Sequence, residues 1–565
     1  MAKPKVKYNS VTKFSTIREM MEIAVAEAGD KAAYKFRESG DIREVSFKEF
    51  RDTTMYLGTA LKSLGLSDKH VAILGENSYN WILVYLTMLQ SDGVCVPIDK
   101  ELTAEPMSFV LSESDTEVLF YTKTYEKFVE ENKQNFPKIT TFVAIDNEDD
   151  TEDAYSFKKL IEKGKEIYIN GDHSFETIEK TTQEMRLLVY TSGTTGIAKG
   201  VMLTEHNLVS CVYYGLHVAT LYGDGLSVLP YNHTYEAVAG ILVAIHLHCT
   251  LAINENLKTV LKNLQAYKPK NIYLVPAFVE VFYKRIWSNA KATGKETILK
   301  ILIKVSNGLR KIGIDLRRKL FKSVHEAFGG NLIEIVCGGA PLRKELGDFF
   351  DAIGINLLNG YGITECSPLV SVNQNDFNDC ATVGIPLPCV EIKIDAPDDE
   401  GIGEICVKGD TVMLGYYKQP ELTAEVLSDD GWFKTGDFGT VNDFGQLLIT
   451  GRKKNIIILD NGKNIFPEEI ENYIMGIPYV AETVVYSIKD ENGMDTGLAC
   501  QVFLSDEKLK ELEIENGKEQ ILVDINETLK ILPVYKRVEK IIVVDEAFQK
   551  TTTNKIKRDK INVNL

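Results

Sequence analysis

Apolar and polar positions over the first 130 or so residues follow two alternating rhythms. Phe47 to Leu66 (FKEFRDTTMYLGTALKSLGL) has apolar residues at helical spacing, His70 to Asn77 (HVAILGEN) is a short buried-strand pattern ending in a turn, and Asn80 to Gly93 (NWILVYLTMLQSDG) predicts a helix ended by glycine. This strand–helix–strand rhythm predicts parallel sheets covered by helices. From about Glu130 to Glu184 the chain is polar and rich in charge, and reads as a peripheral excursion. Leu187 to Tyr190 (LLVY) then predicts a strand running directly into Tyr190 to Met202, YTSGTTGIAKGVM.

Beyond that loop, His206 to Ala219 is helical, Leu226 to Glu236 (LSVLPYNHTYE) is a strand and its exit loop, and NIYLVP (271–276) and NLIEIVCGGAPL (331–342) are further strand-to-loop units. The most apolar run, Ala237 to Ile253, is interrupted by His246 and His248. It falls short of the roughly 20 apolar residues of a membrane span, so it reads as a buried helix and strand. Several chemically suggestive segments come directly after an apolar strand, where open α/β sheets hold their ligands. From Val390 the pattern turns β-rich: VEIKID and GEICVKG suggest a small sheet or barrel. NIIIL and NIF flank Asp460-Asn461-Gly462-Lys463, a strong hairpin signal. The last ~110 residues mix short strands and helices at the size of a separate α+β domain.

Composition adds limits. A chain of 565 residues exceeds one usual core, so at least two domains are expected. The net charge, 64 − 81 = −17, argues against a nucleic-acid partner. Residues 281–330 stand apart, with twelve Lys/Arg against three acids, a local 12 − 3 = +9. A solvated helical surface explains this, as does a patch for anionic membrane lipid or an acidic partner. Nine scattered cysteines with no C-x-x-C pair, and a basic N-terminus with no apolar stretch after it, lead us to expect a reduced, cytoplasmic protein without a secretion signal.

The glycine- and hydroxyl-rich loop suits phosphate, because glycines let backbone N–H groups approach oxygen and Thr191, Ser192, Thr194 and Thr195 add hydroxyl donors. It is not a Walker A loop, which needs lysine directly after its second glycine: here Lys199 lies three residues beyond Gly196 and is followed by Gly200. YTSGTTGIAKGVMLTEHNL instead resembles the signature of adenylate-forming enzymes, the superfamily of acyl-CoA synthetases, peptide-synthetase adenylation domains and beetle luciferases. Six further segments stand in that family's order: LPYNHTYE (229–236), GGAPL (338–342), NGYGITEC (359–366), GWFKTGDFG (431–439), GRKKN (451–455) and TTTNKIKR (551–558). They span most of the chain.

The resemblance implies an α/β fold: a large N-terminal domain, 1–451, of two helix-covered sheets plus a small β-barrel, and a smaller mobile C-terminal α+β domain, 452–565. It implies ATP, Mg2+ and coenzyme A as cofactor and co-substrates. It also assigns roles to residues of this chain. Ser192, Gly193, Thr194, Thr195, Gly196 and Lys199 would close over the β- and γ-phosphates, and Glu365 with Thr191 would bind magnesium. Gly339, Ala340 and Pro341 would line the adenine, Tyr361 and Gly362 would lie against it, and Thr364 would bond the α-phosphate. Asp437 would hold the ribose and Arg452 would reach the nucleotide.

Lys454 sits at the family's hinge, with a solvent lysine as the alternative reading. Lys555 would bridge the substrate carboxylate and the α-phosphate as the catalytic lysine, although Asn554 replaces the usual glycine before it and Gln549 stands where proline is frequent. His233 would border the acyl site, or else be a satisfied core histidine, and Gly462 would face the pantetheine tunnel. Long-chain fatty acid–CoA ligases look most similar, through VPIDKEL, the NHTYE loop and the basic insert. The apolar residues of NIYLVPAFVEVFY and AVAGILVAIHL would then line an alkyl tunnel or serve as plain core. Medium-chain or aryl acids, transfer to a carrier protein, and a homodimer stay open.

Overall fold

The computed structural model of the chain describes residues 6–192, 198–459, 464–489, 495–550 and 556–563. It divides into two compact units: residues 1–392, 407–433 and 443–447 form the first, and 393–406, 434–442 and 448–565 the second.

The first unit is built on two large sheets. One has nine strands, ordered 385–386, 369–372, 356–362, 334–337, 271–274, 225–227, 251–253, 32–38 and 41–46. Its centre is parallel, with Leu274 beside Cys337 and Cys337 beside Asn359, as expected of strands joined through helical crossovers. The other has eight strands, ordered 415–416, 198–204, 185–192, 94–97, 70–74, 118–121, 141–144 and 155–156. Helix Glu205–Val218 touches strands of both sheets, which is why Leu208, Val209, Ser210 and Cys211, spread round its circumference, are all buried.

Most of the expected elements are present. Helix Phe47–Ser63 begins at Ser46, whose Oγ accepts from the Glu49 amide at 3.1 Å, and strand His70–Leu74 is buried along nearly its whole length. Three expectations are corrected. Helix Tyr79–Gln90 is ended by Ser91, whose Oγ donates to the Met88 carbonyl. Gly93 comes two residues later, in a turn where a Cβ would lie 2.4 Å from the Lys69 carbonyl oxygen. The strand before NHTYE is only Gly225–Ser227.

Residues 130–184 are not merely peripheral. Strands Thr141–Ala144 and Tyr155–Ser156 extend the eight-stranded sheet, and helix Phe157–Ile169 packs on Phe47–Ser63 so closely that Gly164 admits no side chain against the Tyr56 carbonyl. Runs of two to four strand residues are too short to show a period of two amid charge. The run 237–253 is the expected buried helix and strand, closing in strand Leu251–Ile253, but its helix begins as a π-helix, Tyr235–Leu242, that passes into helix Val243–His246. π turns concentrate at functional sites, and nothing in the hydrophobic spacing announces this one.

In the second unit, strands Val480–Lys489, Asp495–Leu504 and Lys540–Val544 form a three-stranded sheet. Ile470, Ile474, Ile521 and Ile525 from helices Pro467–Ile474 and Gly517–Leu529 join its core. Strands Ile457–Ile458 and Asn464–Ile465 pair antiparallel, as the hairpin signal implies, with the turn itself outside the described residues. The β-rich stretch from Val390 forms a sheet ordered 390–395, 403–409, 433–441 and 447–452, with no barrel closure among the described residues.

Candidate active site

In the first unit the site is organised by a stitch between two distant segments. Strand Ala198–Thr204 carries Lys199, and its register sets Thr191 opposite Lys199 on the neighbouring strand. Thr204 closes this strand and caps helix Glu205–Val218 in a reciprocal box with Asn207. The Asn207 amide then donates to the carbonyls of Asp410 (2.7 Å) and Val412 (3.0 Å). From there the chain runs alongside the strand: the Leu414 amide donates to Met202 O at 3.0 Å and the Tyr417 amide to Gly200 O at 2.7 Å, while Met413 N–H donates to the carbonyl of Glu365 at 2.9 Å.

Tyr416 stands at the centre of this stitch. Its hydroxyl donates to Glu365 Oε1 at 2.9 Å, and Lys199 Nζ lies 5.1 Å from the centre of its ring. Burial beside the Glu365 carboxylate pushes the phenol far above its ordinary range, so the hydroxyl keeps its proton as donor. Thr191 and Lys199 from one motif and Glu365 from another are thus drawn into one polar junction. Tyr416 is the residue that sequence reading missed; its only trace is a tandem tyrosine after Leu-Gly, 414–417. Thr364 begins the short 3-10 turn that carries Glu365.

Next to this junction lies an apolar cavity of ≈ 110 Å³, on a measure where a single water needs roughly 10–15 Å³. One wall is the helix Glu205–Val218, through Cys211, Gly215 and Leu216; another is the π-helix with helix Val243–His246 at its end, through Tyr235, Ala239 and Val243. The strand ends supply Gly339, Tyr361, Gly362 and Leu369. Two glycines are dictated by backbone: Gly339 has φ +82°, and a Cβ at Gly362 would lie 1.8 Å from the Pro368 carbonyl oxygen. Ala340 and Pro341 continue the exposed turn after Gly339. Tyr235 is fixed by its hydroxyl, which donates to Val336 O at 3.1 Å, and its ring meets Tyr273 edge-on at 5.8 Å. Of the segments expected to line an alkyl tunnel, Tyr273, Ala239 and Val243 reach the cavity, whereas Val279 and Phe282 belong to the core.

Beneath the cavity wall, Glu236 is fully buried, and its Oε1 accepts from Ser227 Oγ at 2.5 Å. Burial raises this carboxyl to about 8, so it is protonated at neutral pH. His233, half-buried, opens the π-helix with its carbonyl accepting from Ala237 N at 3.1 Å.

In the second unit, Asp437 is 3% exposed, its amide donates to Thr435 Oγ1 at 3.0 Å, and its Oδ1 meets Arg452 Nε at 2.9 Å. Two motif residues 15 positions apart in sequence are so joined. Lys454 lies exposed in the 3-10 turn Lys453–Asn455. Gly193, Thr194, Thr195, Gly196, Gly462 and Lys555, and the side chain of Ser192, lie outside the described residues. Lys555 is flanked by an antiparallel bridge between Lys550 and Ile556.

Residues 21–417 match the AMP-binding enzyme family. The chain belongs to that family. The long-chain-fatty-acid–CoA ligase FadD15 of Mycobacterium bovis is 31% identical over 477 residues, covering 81% of this chain and 77% of that protein. Human long-chain-fatty-acid–CoA ligase 1 is 28% identical over 477 residues, covering 78% and 67%. Among solved structures, the anthranilate CoA ligase AuaEII with anthranoyl-AMP superposes at TM-score 0.77 with 20% identity, covering 98% of this chain and 97% of that one. A Mycobacterium tuberculosis fatty acyl CoA synthetase superposes at 0.65 with 21% identity, covering 96% and 97%.

As an AMP-binding enzyme the chain has a donor set that suits magnesium. No cluster of three or more His, Cys, Asp or Glu exists among the described residues. Magnesium is usually held by one or two protein oxygens together with phosphate, and a carboxylate and a hydroxyl beside a lysine match that habit.

Proposed function

We propose that this AMP-binding enzyme joins a long-chain fatty acid to coenzyme A in two steps, through an acyl-AMP intermediate, releasing pyrophosphate and AMP. The observation that carries the reading is that one apolar cavity is bounded both by the two helices and by Gly339, Tyr361 and Gly362, the residues assigned to the nucleotide. An alkyl chain held there would bring its carboxylate to the nucleotide end.

A carboxylate is a poor acyl donor because attack on it must expel oxide. One carboxylate oxygen bonds to the α-phosphorus of ATP as the bond to pyrophosphate breaks; the thiol sulfur then bonds to the acyl carbon, AMP departs and the thiol proton is lost to solvent. The protein's part is to align the reactants and offset phosphate charge. Lys199 faces the β- and γ-phosphates and Tyr361 packs on the adenine. Asp437, a carboxylate able to accept from both ribose hydroxyls, and Arg452 serve the ribose end. Lys555 bridges carboxylate and α-phosphate, and residues 452–565 turn about Lys454 between the steps. Glu365 and Thr191 would hold magnesium, whose charge screens the phosphates. His233 borders the acyl site and Gly462 leaves space for pantetheine. Nine cysteines, none in a disulfide, agree with a cytoplasmic setting.

Pyrophosphate release measured over acids from acetate to the C18 chain, with benzoate and succinylbenzoate, each with and without coenzyme A, tests the reading. A maximum at long chains with coenzyme A-dependent AMP release is expected. A maximum at short or aromatic acids overturns the chain-length claim, and loading of a carrier protein in place of coenzyme A overturns the acceptor.

A further inference from the structure

Helix Glu296–Arg310 buries one face and leaves an unusual one outside. Leu299, Leu302, Ile303 and Ser306 face the core that also holds Val279, Phe282 and Phe350. Ile298, Ile301 and Val305 stand at i, i+3 and i+7 on the solvent side, 53%, 55% and 45% exposed. The chain then turns at Gly313 (φ +80°), with the amides of Ile312 and Ile314 both donating to Leu309 O, and so presents Ile312 and Ile314, 71% and 44% exposed, at the end of the same helix. Five exposed β-branched residues within seventeen positions form a patch of a kind that soluble surfaces avoid.

The cations around it sort into two groups. Arg310 and Arg317 pair with Asp351, Lys284 with Glu280, Lys300 with Glu296 and Lys322 with Glu326, so five of the twelve cations are ion-paired. Lys295, Lys304, Lys311 and Lys319 form no ion pair among the described residues, and all four are exposed. They lie along or next to the isoleucine stripe, in a chain whose net charge is −17.

We infer that this face, Lys295 to Lys319, is a docking surface for an anionic phospholipid membrane, with the helix lying along the headgroup layer. The aliphatic stripe suits the boundary of headgroups and acyl chains, and the lysines suit anionic headgroups. A second copy fits poorly, because a two-fold contact would set the same unpaired lysines against each other. An acidic protein fits less well, since protein interfaces favour aromatic residues and arginine over lysine: this stripe holds no aromatic, and Arg318, which forms no ion pair among the described residues, donates its guanidinium to the carbonyls of Leu332 and Gly330. No helix among the described residues is long and apolar enough to cross a membrane, so the contact is peripheral.

The test uses the full chain without ATP or acid, so it stands apart from the ligase reading. Co-sedimentation is compared on vesicles of phosphatidylcholine and on vesicles with roughly a third phosphatidylglycerol, at roughly 50 and 500 mM salt. Binding to the anionic vesicles alone, weakened by salt, is expected. Lys304→Glu with Lys311→Glu should weaken it at least about 25-fold, at about fivefold per lysine, and Ile301→Ser with Val305→Ser about tenfold or more. Because every changed side chain is exposed, the thermal midpoint should stay put. Equal binding to both vesicle types, or variants that bind as the parent does, overturns the proposal. So does a change of oligomeric state in the variants by light scattering, which would make the face a self-contact, or binding to polyglutamate in the absence of vesicle binding, which would assign it to an acidic protein.

Discussion

The polar junction and the apolar cavity adjoin each other in the first unit, yet they are built by opposite means. At the junction, specific atoms are fixed: the Tyr416 hydroxyl on Glu365, Lys199 over the ring, and three backbone hydrogen bonds from Met413, Leu414 and Tyr417. At the cavity little is hydrogen-bonded, and its shape comes from small residues, Gly215, Ala239 and Gly362, set among larger ones. A hydrogen bond discriminates by presence or absence, whereas an apolar wall discriminates by volume and hence by degrees. Changes at the junction should therefore scale all substrates alike, and changes at the cavity should reorder them.

Lys555→Ala gives the largest expected effect and supplies the reference for both. It should reduce acyl-AMP formation by about a thousandfold or more for every chain length, in line with loss of a transition-state charge partner, while supplied acyl-AMP still reacts with coenzyme A. Adenylation at the parent rate would refute the assignment. Gly215→Phe should reorder substrates. A Cβ at Gly215 meets only Leu369, at 3.3 Å, so the ring has the cavity to fill, and kcat/KM for a C16 acid should fall about a hundredfold relative to a C8 acid. An equal loss for both acids would remove the cavity from the acyl site.

Tyr416→Phe should do the reverse. It keeps the ring beneath Lys199 and removes the bond to Glu365, so adenylation at limiting Mg2+ should drop about tenfold or more for all acids alike and recover as Mg2+ is raised. A loss that depends on chain length, or that ignores Mg2+, would show Tyr416 to be structural only. The last effect is on stability and leaves substrate choice alone: it concerns Glu236, whose carboxyl is held near 8 by burial when folded and near 4.5 when unfolded. Between these values the folded state binds the extra proton, so its stability falls as pH rises. Glu236→Gln removes that slope, so its thermal midpoint should overtake the parent's as pH goes from about 5 to about 8. Parallel curves would show that Glu236 does not titrate in this way.

What can be read in the sequence is whatever local pattern encodes. Strand-to-loop units such as 271–276 and 331–342 carry their own apolar runs, and the family resemblance picks out Glu365 and Asp437 from short segments. What escapes is set by tertiary contact. Tyr416 acquires its place through segments some two hundred residues earlier and fifty before it: Asn207 holds the carbonyls of Asp410 and Val412, and Met202, Gly200 and Glu365 accept from the backbone on either side. The π-helix needs one extra residue per turn within a uniformly apolar run, which leaves no periodicity to detect. Gly93 passes for a helix end because a glycine required by a neighbouring carbonyl looks the same in sequence as a capping one.

The short strand Gly415–Tyr416 also bears on how the chain is made. It covers the outer edge of Ala198–Thr204, pairing Gly415 with Met202 and Tyr416 with Val201. Until Tyr416 has left the ribosome that edge has no partner, and 416 − 204 = 212 residues must be added after Thr204 first. At about 5–20 residues per second the interval is roughly 10–40 s, during which a strand with buried Val201 and Leu203 offers unpaired amides and carbonyls to any neighbouring nascent chain. The same two residues that complete the site therefore also close the longest-lived aggregation hazard of this sheet during synthesis.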